Sequence, residues 1–371
     1  MIKNFKNIYK NKKVLITGHT GFKGSWLSLW LLELGANVIG YSLEPPTEPN
    51  LFESINLKNK ITHIFGDVRD ENHLFTVFEK YKPEFVFHLA AQPLVRLSYT
   101  EPKLTYETNI MGTINVLEAA RKANSVKVCI VITTDKCYEN KEWIYGYREI
   151  DPMGGYDPYS SSKGCAELIT AAYRNSFFNP DDYGRNHKVA LSSVRAGNVI
   201  GGGDWGEDRL IPDCIRMLSQ NKTIIIRNPK AIRPWQYVLE PLSGYLLLGA
   251  LMYQDGKRYC SAWNFGPNDN DIITVEEIIK SAIRNWGTGD YKVDTSSQPH
   301  EASLLKLDTS KARIFLGWKP VYNIYETIKR TINWYKNFYN STEKKKLYKI
   351  TVSEIREYMR CLDNNYNKEV D

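Results

Sequence analysis

Between Lys13 and Val194 the chain repeats one pattern: a short apolar run, a turn, then a segment whose apolar side chains recur at helical spacing. Short runs separated by a helix's length of chain are too far apart for tight hairpins. They are predicted to be parallel strands joined by helical crossovers, which makes an α/β doubly wound sheet of the Rossmann type. The strands are expected at Lys13–Thr17, Asn37–Tyr41, Ile61–Phe65, Phe85–Leu89, Val128–Thr133 and Val189–Val194. Helices are expected over Gly24–Leu34, with Gly35 as its C-cap, over Asp70–Tyr81, over Pro102–Ala123, and from Pro158 past Tyr173.

The first strand runs into Gly18-His19-Thr20-Gly21-Phe22-Lys23-Gly24 and the first helix. Glycines there let the backbone turn sharply and approach a ligand, and the helix N-terminus offers unpaired N–H groups to phosphates. The spacing is G-x-x-G-x-x-G, a cradle for a dinucleotide. At the end of the second strand stands Ser42, with Glu44 the nearest acid and no Arg beside it. Without an Arg to meet a 2′-phosphate, NAD is favoured over NADP. Asp67, in the turn Gly66-Asp67-Val68-Arg69, is open to two readings: a contact with the adenine amine, or a turn and N-cap acid.

Tyr159-Ser-Ser-Ser-Lys163 sets a phenol and an ammonium four residues apart on one helix face. A neighbouring ammonium is expected to lower the phenol's pKa and make it a proton acceptor near neutrality. The spacing alone does not single out Tyr159, since Tyr9/Lys13, Tyr99/Lys103, Tyr253/Lys257 and Tyr325/Lys329 share it. Position does. Thr134 follows the fifth strand, Tyr159 opens the next helix, and ligands of open α/β sheets bind at the carboxyl edge of the strands.

With His88-Leu89-Ala90-Ala91-Gln92, Asn109 and Thr133-Thr134 added to the glycine loop and the Tyr159/Lys163 pair, the chain resembles the extended short-chain dehydrogenase/reductase family over most of residues 12–320. More narrowly, Gly18–Trp26, Thr133–Trp143, Gly154–Lys163, Arg195–Trp205, Arg233–Leu239 and His300–Asp308 are similar, in order, to the CDP-glucose 4,6-dehydratases. The resemblance implies a hydro-lyase acting on a nucleotide-linked hexose, with NAD reduced and reoxidised within each turnover. Oxidation at C4 acidifies C5–H, the C6 hydroxyl leaves, and hydride returns to C6. It further implies roles for named residues. Tyr159 takes the C4 hydroxyl proton, Lys163 holds the nicotinamide ribose, Thr134 binds the C4 oxygen, and Asp135 protonates the departing hydroxyl. Lys136 stands where related dTDP-glucose dehydratases carry a Glu as the C5 base. A lysine base must first lose its proton, so the alternative for Lys136 is an ion pair with a carboxylate or a bond to a substrate oxygen. The loop residues Gly18 to Gly24, with Ser42, Asp67, Val68, Leu89, Ala90, Ala91, Gln92, Asn109 and Thr133, are the implied cofactor contacts. Dimerisation through Pro102–Ala123 and Pro158–Asn175, as a homodimer or dimer of dimers, is implied as well.

After Asn198 the alternation loosens, and 371 residues exceed what one core usually serves. Two domains are expected: a dinucleotide domain of 1–198 plus about 236–266, and a substrate domain of about 199–235 plus 267–371. The second domain holds candidate partners for a CDP-sugar. Arg209, Arg233, Lys222 and Arg227 suit its phosphates. Asn198 and Gln92 suit phosphate or sugar hydroxyls, and Trp205 could pack on a ring. The contacts of His300 and Glu301 are left open. The last thirty residues, rich in Lys and Asn, are expected to be a helical appendage or a partly ordered tail.

A net charge of +7, from 49 basic and 42 acidic residues, suits an anionic small molecule. Its densest basic runs, Lys10–Lys13 and Lys344–Lys346, lie near the ends and read as solvated surface, so no nucleic acid is expected. Six cysteines without a C-x-x-C pair fit neither a zinc site nor a disulfide framework, which leads to the expectation of a cytoplasmic, metal-free protein. The most apolar stretches, Trp26–Leu34 and Tyr245–Tyr253, are too short to span a membrane. Two rivals remain. A 4-epimerase on this scaffold would not need Asp135-Lys136 after Thr134, and a non-catalytic dinucleotide sensor would need neither Tyr159 nor Lys163.

Overall fold

The computed structural model describes residues 5–271, 273–294, 304–340 and 343–367. His300 and Glu301 fall outside them. The predicted strands form: β1 (Lys13–Thr17), β2 (Asn37–Ser42), β3 (Thr62–Phe65), β4 (Phe85–His88), β5 (Val128–Ile132) and β6 (Ala190–Ala196). A seventh, β7 (Ala262–Phe265), completes a sheet of order β7-β6-β5-β4-β1-β2-β3 in which every pairing is parallel. The order reverses at β1 and β4, so a crevice opens beyond their carboxyl ends. Helices cover both faces, which is why β4, β5 and β6 are buried at every position rather than alternating.

The crossover helices are α1 (Phe22–Glu33), α2 (Glu71–Tyr81), α3 (102–122) and α4 (Pro158–Ser176). α1 starts two residues before its expected start, so Phe22 and Lys23 belong to its first turn. α3 is predicted as one long helix. It is continuous, but Pro102–Tyr106 passes through a π turn at Glu107–Met111 before Gly112–Lys122. The turn carries Asn109, whose amide bonds the backbone of Gln92 on both sides, Nδ2 to its carbonyl at 3.1 Å and Oδ1 from its N–H at 2.8 Å. Such local widening is common where a helix must aim a functional side chain. A short helix at Val95–Thr100 precedes it and had no clear periodic signal.

Beyond β6 the remaining helices are α5 (Leu210–Ser219), α6 (Leu239–Gln254), α7 (Val275–Trp286), α8 (Ile324–Tyr339) and α9 (Lys344–Asn367). Three two-stranded ladders link these parts: 199–200 with 236–237, 232–233 with 273–274, and 224–226 with 291–293. α6 is buried almost throughout, and β7 follows it into the sheet. The chain's end is not an appendage. Leu347, Val352, Ile355, Tyr358 and Leu362 of α9 join the same core cluster as β1 and α1. The Tyr358 ring meets Trp30 of α1 edge-on at 5.5 Å, and Arg356 pairs with Glu33 at 2.7 Å. The apolar i, i+3, i+4 stripe of α9 is masked in composition by its Lys and Asn, which occupy the outer face.

Candidate active site

The glycine loop is built as a close cradle. Gly18 has φ +77°, and a Cβ there would lie 2.7 Å from the Ala90 nitrogen, so β1 and β4 approach too tightly for any other residue. A Cβ on Gly24 would stand 2.1 Å from the Gly18 carbonyl oxygen. Gly21 is the N-cap of α1 and offers no side-chain cap, which leaves the helix's first N–H groups for a ligand. This loop fits a dinucleotide pyrophosphate. His19 is fully buried and turned away from it, with Nε2 at 2.7 Å from His63 Nδ1. Burial, then the His63 charge, press its pKa down to about 3. Thr20 bonds Ser42 Oγ at 2.8 Å and donates to the Leu43 carbonyl, closing the loop on the end of β2.

Several expected ligand contacts are occupied within the chain. Asp67 is a turn acid: it accepts from the Arg69 backbone at 2.9 Å and pairs with the Arg69 guanidinium, while Asp70 caps α2. The Val68 carbonyl accepts from Asn115. Leu89 and Ala90 are fixed by N–H bonds to Thr17, and half-buried Ala91 lies beside them. The substrate role expected for Gln92 does not match its surroundings. Its amide accepts from Leu94 N at 2.6 Å and donates to Leu94 O and Thr105 Oγ1, so the side chain is consumed in shaping the loop after β4. Trp205 is likewise corrected. Its ring is 5% exposed and packs on Trp334, Tyr335 and Phe338, because the segment after Gly203 turns into the core under α8.

The catalytic candidates converge at the carboxyl end of β5. Asp157 caps α4, accepting from Ser160 N at 2.9 Å, and Pro158 occupies its first position, so the helix begins where Tyr159 faces the sheet edge. Tyr159 and Lys163 are both buried. Lys163 Nζ donates to the Ile132 carbonyl at 3.3 Å. Thr134 donates to Asp135 Oδ1 at 2.9 Å and receives the Lys136 N–H at 3.4 Å, making the one-turn helix Asp135–Cys137. Lys136 is half-buried and forms no ion pair with the described residues. Asn109 ties this group to the cofactor side by donating to Ser162 Oγ at 2.8 Å.

The electrostatics correct one expectation. Burial dominates at Tyr159 and pushes its pKa up to about 12, against a hydrogen bond with Thr134 that acts downward. The Lys163 ammonium, directed at a carbonyl, does not bring the phenol toward neutrality unaided. Lys163 itself is lowered to about 8, by burial first and then by the Lys23 ammonium, with Glu167 opposing. Lys23 is lowered to about 8 by burial and Arg209, with Asp135 opposing. Its charge therefore acts on the catalytic group, an influence that membership of a phosphate cradle does not suggest. Burial raises the Asp135 carboxyl above the usual range despite the Lys136 charge, Thr134 and Arg233.

The substrate-side candidates lie around this group. Arg209 pairs with Asp204 at 2.8 Å, and its charge bears on Tyr159 and Lys23. Arg233 bears on Asp135 and donates to the Ile232 carbonyl. Gly197 abuts Asp135, where a Cβ would lie 3.0 Å from Oδ2, and Asn198 follows it, half-buried. A narrow cleft lined by Gly197, Pro234, Gly266, Pro267 and Leu307 adjoins them. Lys222 and Arg227 are exposed on the outside of this region.

Comparison with known proteins agrees with this construction. The family model described as GDP-mannose 4,6 dehydratase matches residues 15–331. A CDP-glucose 4,6-dehydratase of Salmonella typhimurium is 54% identical over 332 residues, 89% of this chain and 92% of the relative. A UDP-glucose 4-epimerase of Thermotoga maritima, solved with UDP-glucose, superposes with a TM-score of 0.74 at 24% identity, covering 88% of this chain and 99% of its own. A dTDP-glucose 4,6-dehydratase of Bacillus anthracis in complex with NAD gives 0.71 at 22% identity, covering 88% and 97%. The last two show the shared fold. On the extent of the family match, the sequence identity and the parallel seven-stranded sheet, the chain belongs to the GDP-mannose 4,6 dehydratase family of extended short-chain dehydrogenases/reductases.

Proposed function

We propose that the protein is an NAD-dependent hydro-lyase that converts CDP-glucose to CDP-4-dehydro-6-deoxyglucose. The observation that carries a dehydratase over an epimerase is Asp135: a carboxyl 4% exposed, bonded to Thr134, and raised by burial toward its protonated form. A buried carboxyl whose pKa is raised holds its proton more firmly than a free one and is suited to pass it to a departing hydroxyl, a step an epimerase does not require. The CDP-glucose preference is supported by the 54% identity with the Salmonella dehydratase.

NAD, when bound, supplies the hydride acceptor for C4, the hydride donor for C6 and a positive charge beside the phenol. Thr134 holds the C4 oxygen, and Tyr159 takes the C4 hydroxyl proton. Lys163 would hold the nicotinamide ribose and lend its charge to the developing phenolate. Lys136 removes the C5 proton once C4 is a ketone, and Asp135 protonates the C6 oxygen as it leaves as water. Arg209, Arg233 and Asn198 receive the diphosphate. The glycine loop, with Ser42, Asn109 and Thr133, shapes the cofactor side. Residues 1–198 plus about 236–266 are read as the cofactor-binding part, and about 199–235 plus 267–371 as the nucleotide-sugar part. The protein is further read as cytoplasmic; no helix among the described residues is long and apolar enough to cross a membrane. It is also read as a homodimer or dimer of dimers through α3 and α4, whose outer faces expose Tyr106, Met111 and Leu168. Light scattering that gives the monomer mass of 42.8 kDa would overturn this assembly.

The decisive assay incubates the protein with CDP-, dTDP-, UDP- and GDP-glucose and follows 4-keto-6-deoxy product without net NADH. CDP-galactose as product, or no turnover of any of the four, would overturn the reading. Lys136→Ala is expected to abolish solvent deuterium incorporation at C5. Retained incorporation at the wild-type rate removes Lys136 as the base.

A further inference from the structure

Among the described residues one ion pair is buried on both sides. Arg195 of β6 meets Glu167 of α4 at 2.8 Å, with side chains 4% and 3% exposed. A buried pair of this kind is weak evidence for stability, because removing two charges from water offsets their attraction. Its purpose is better sought in what it touches. Glu167 accepts from Thr133 Oγ1 at 2.5 Å and from Ser193 Oγ at 2.6 Å. Arg195 donates to the Tyr138 hydroxyl at 2.5 Å and to the Glu149 carbonyl at 3.2 Å. Tyr138 donates on to Asn264 Oδ1, and Asn264 Nδ2 donates to the carbonyls of Tyr147 and Asp308. The network thus runs from the end of β5 to the segments that border the substrate side.

Glu167 also lies four residues beyond Lys163 and eight beyond Tyr159, on the same face of α4. The helix grips successive residues at the end of β5 and just beyond it: Lys163 on the Ile132 carbonyl and Glu167 on the Thr133 hydroxyl. The next residue is Thr134. We propose that Glu167 is a positioning residue for the oxidation at C4: with Arg195 it fixes the strand end carrying Thr134 against α4, and it sets a counter-charge one helical turn from the Lys163 ammonium. This rests on the reading of Thr134, Tyr159 and Lys163 as the oxidising group. Burial acts to raise the Glu167 pKa, but Arg195, Ser193 and Thr133 outweigh it and hold the group low, so it is an anion. Its charge raises the Lys163 pKa against burial and Lys23.

Glu167→Gln keeps the size of the side chain and removes the charge. Misplacing Thr134 by a fraction of a bond length is expected to lower kcat by roughly ten- to a hundredfold with KM for CDP-glucose unchanged. The alkaline limb of the pH–kcat profile should move to lower pH, because Lys163 then loses its proton earlier. Glu167→Asp, with the charge kept and the arm shortened, should return that limb while kcat stays low. A purely structural role would not move the limb. If an unpaired Arg195 prevents the single variant from folding, Glu167→Gln/Arg195→Gln leaves no lone buried charge and carries the same test. A folded variant with wild-type kcat and an unmoved alkaline limb overturns the proposal alone. A wild-type chain that fails to turn over CDP-glucose removes the functional reading beneath it, and the proposal with it.

Discussion

Lys23 shows how one side chain can change the meaning of a loop. In a phosphate cradle the residue between Phe22 and Gly24 needs only a backbone N–H, yet its ammonium bears on Lys163 and senses Asp135 and Arg209. The sign of its effect is defined. Its charge depresses Lys163, so removing it lets the Lys163 pKa rise above about 8. Lys23→Met is therefore expected to move the alkaline limb of the pH–kcat profile upward, opposite to Glu167→Gln. An unmoved limb would place the Lys23 charge outside the working site. Tyr159 carries the complementary lesson. The sequence places an ammonium four residues away but says nothing of burial, and burial governs this phenol, at about 12. Gln92 and Trp205 depart from the sequence expectation for a related reason: an amide or an indole suits both a ligand and the protein's own interior, and only neighbours decide. Arg195 opens one of the segments that carry the resemblance, but nothing in the sequence pairs it with Glu167, 28 residues away and outside every motif.

At the level of elements, the glycine loop and α1 are packed as one unit. Gly24 sits where α1 crosses back over the end of β1, with no room for a methyl group against the Gly18 carbonyl. Gly24→Ala must push the helix start away from the strand, which widens the cradle. The expected outcome is a loss of NAD affinity of at least about tenfold, equivalent to ~1.4 kcal/mol, measured by calorimetric titration. Unchanged affinity would show that the loop is slack. The strands and crossover helices were legible because period and length agree with the fold at every step. The π turn in α3 was not, since five residues of helix-forming sequence do not announce an extra backbone residue per turn. The short ladders of 199–293 were equally silent. Strands of two or three residues carry too little pattern to separate from loop.

The whole molecule is held together across its halves. Trp26 of α1 donates to the Gly202 carbonyl at 2.9 Å, and Gly202 in turn lies against the Trp334 ring of α8. Buried Glu240 of α6 accepts from Val321 N, Tyr322 N and the Tyr358 hydroxyl, binding α6 to two distant segments. Stability should respond to acid through two histidines. His88, bonded to Thr17 and Thr113, and His19 are both pressed to about 3 in the fold by burial. An unfolded histidine titrates near 6.5, so their contribution is fully present above that value and is lost as pH falls toward 3. By pH 5 the loss is on the order of 2 kcal/mol for each histidine, visible as a falling midpoint in urea unfolding between pH 7.5 and 5. His88→Gln should flatten that slope. A slope equal to wild type would show that His88 takes up its proton within the fold.

The strands along the chain, the crossover helices, the glycine cradle and the Tyr159/Lys163 pair follow from the sequence, because each is encoded in local period, length, or spacing together with place in the alternation. The sequence marks the return of the chain to the first domain as a region, 236–266, and the structure sets the pairing of β7 with β6 within it. The integration of α9 into the core, the turn of Trp205 under α8, the influence of Lys23 and the buried Glu167–Arg195 pair were decided by the tertiary structure. Each depends on contacts between residues far apart in the chain and on how much water those contacts exclude. Local sequence sets where a helix or strand forms; the dielectric and the neighbours around a side chain exist only once the elements have packed.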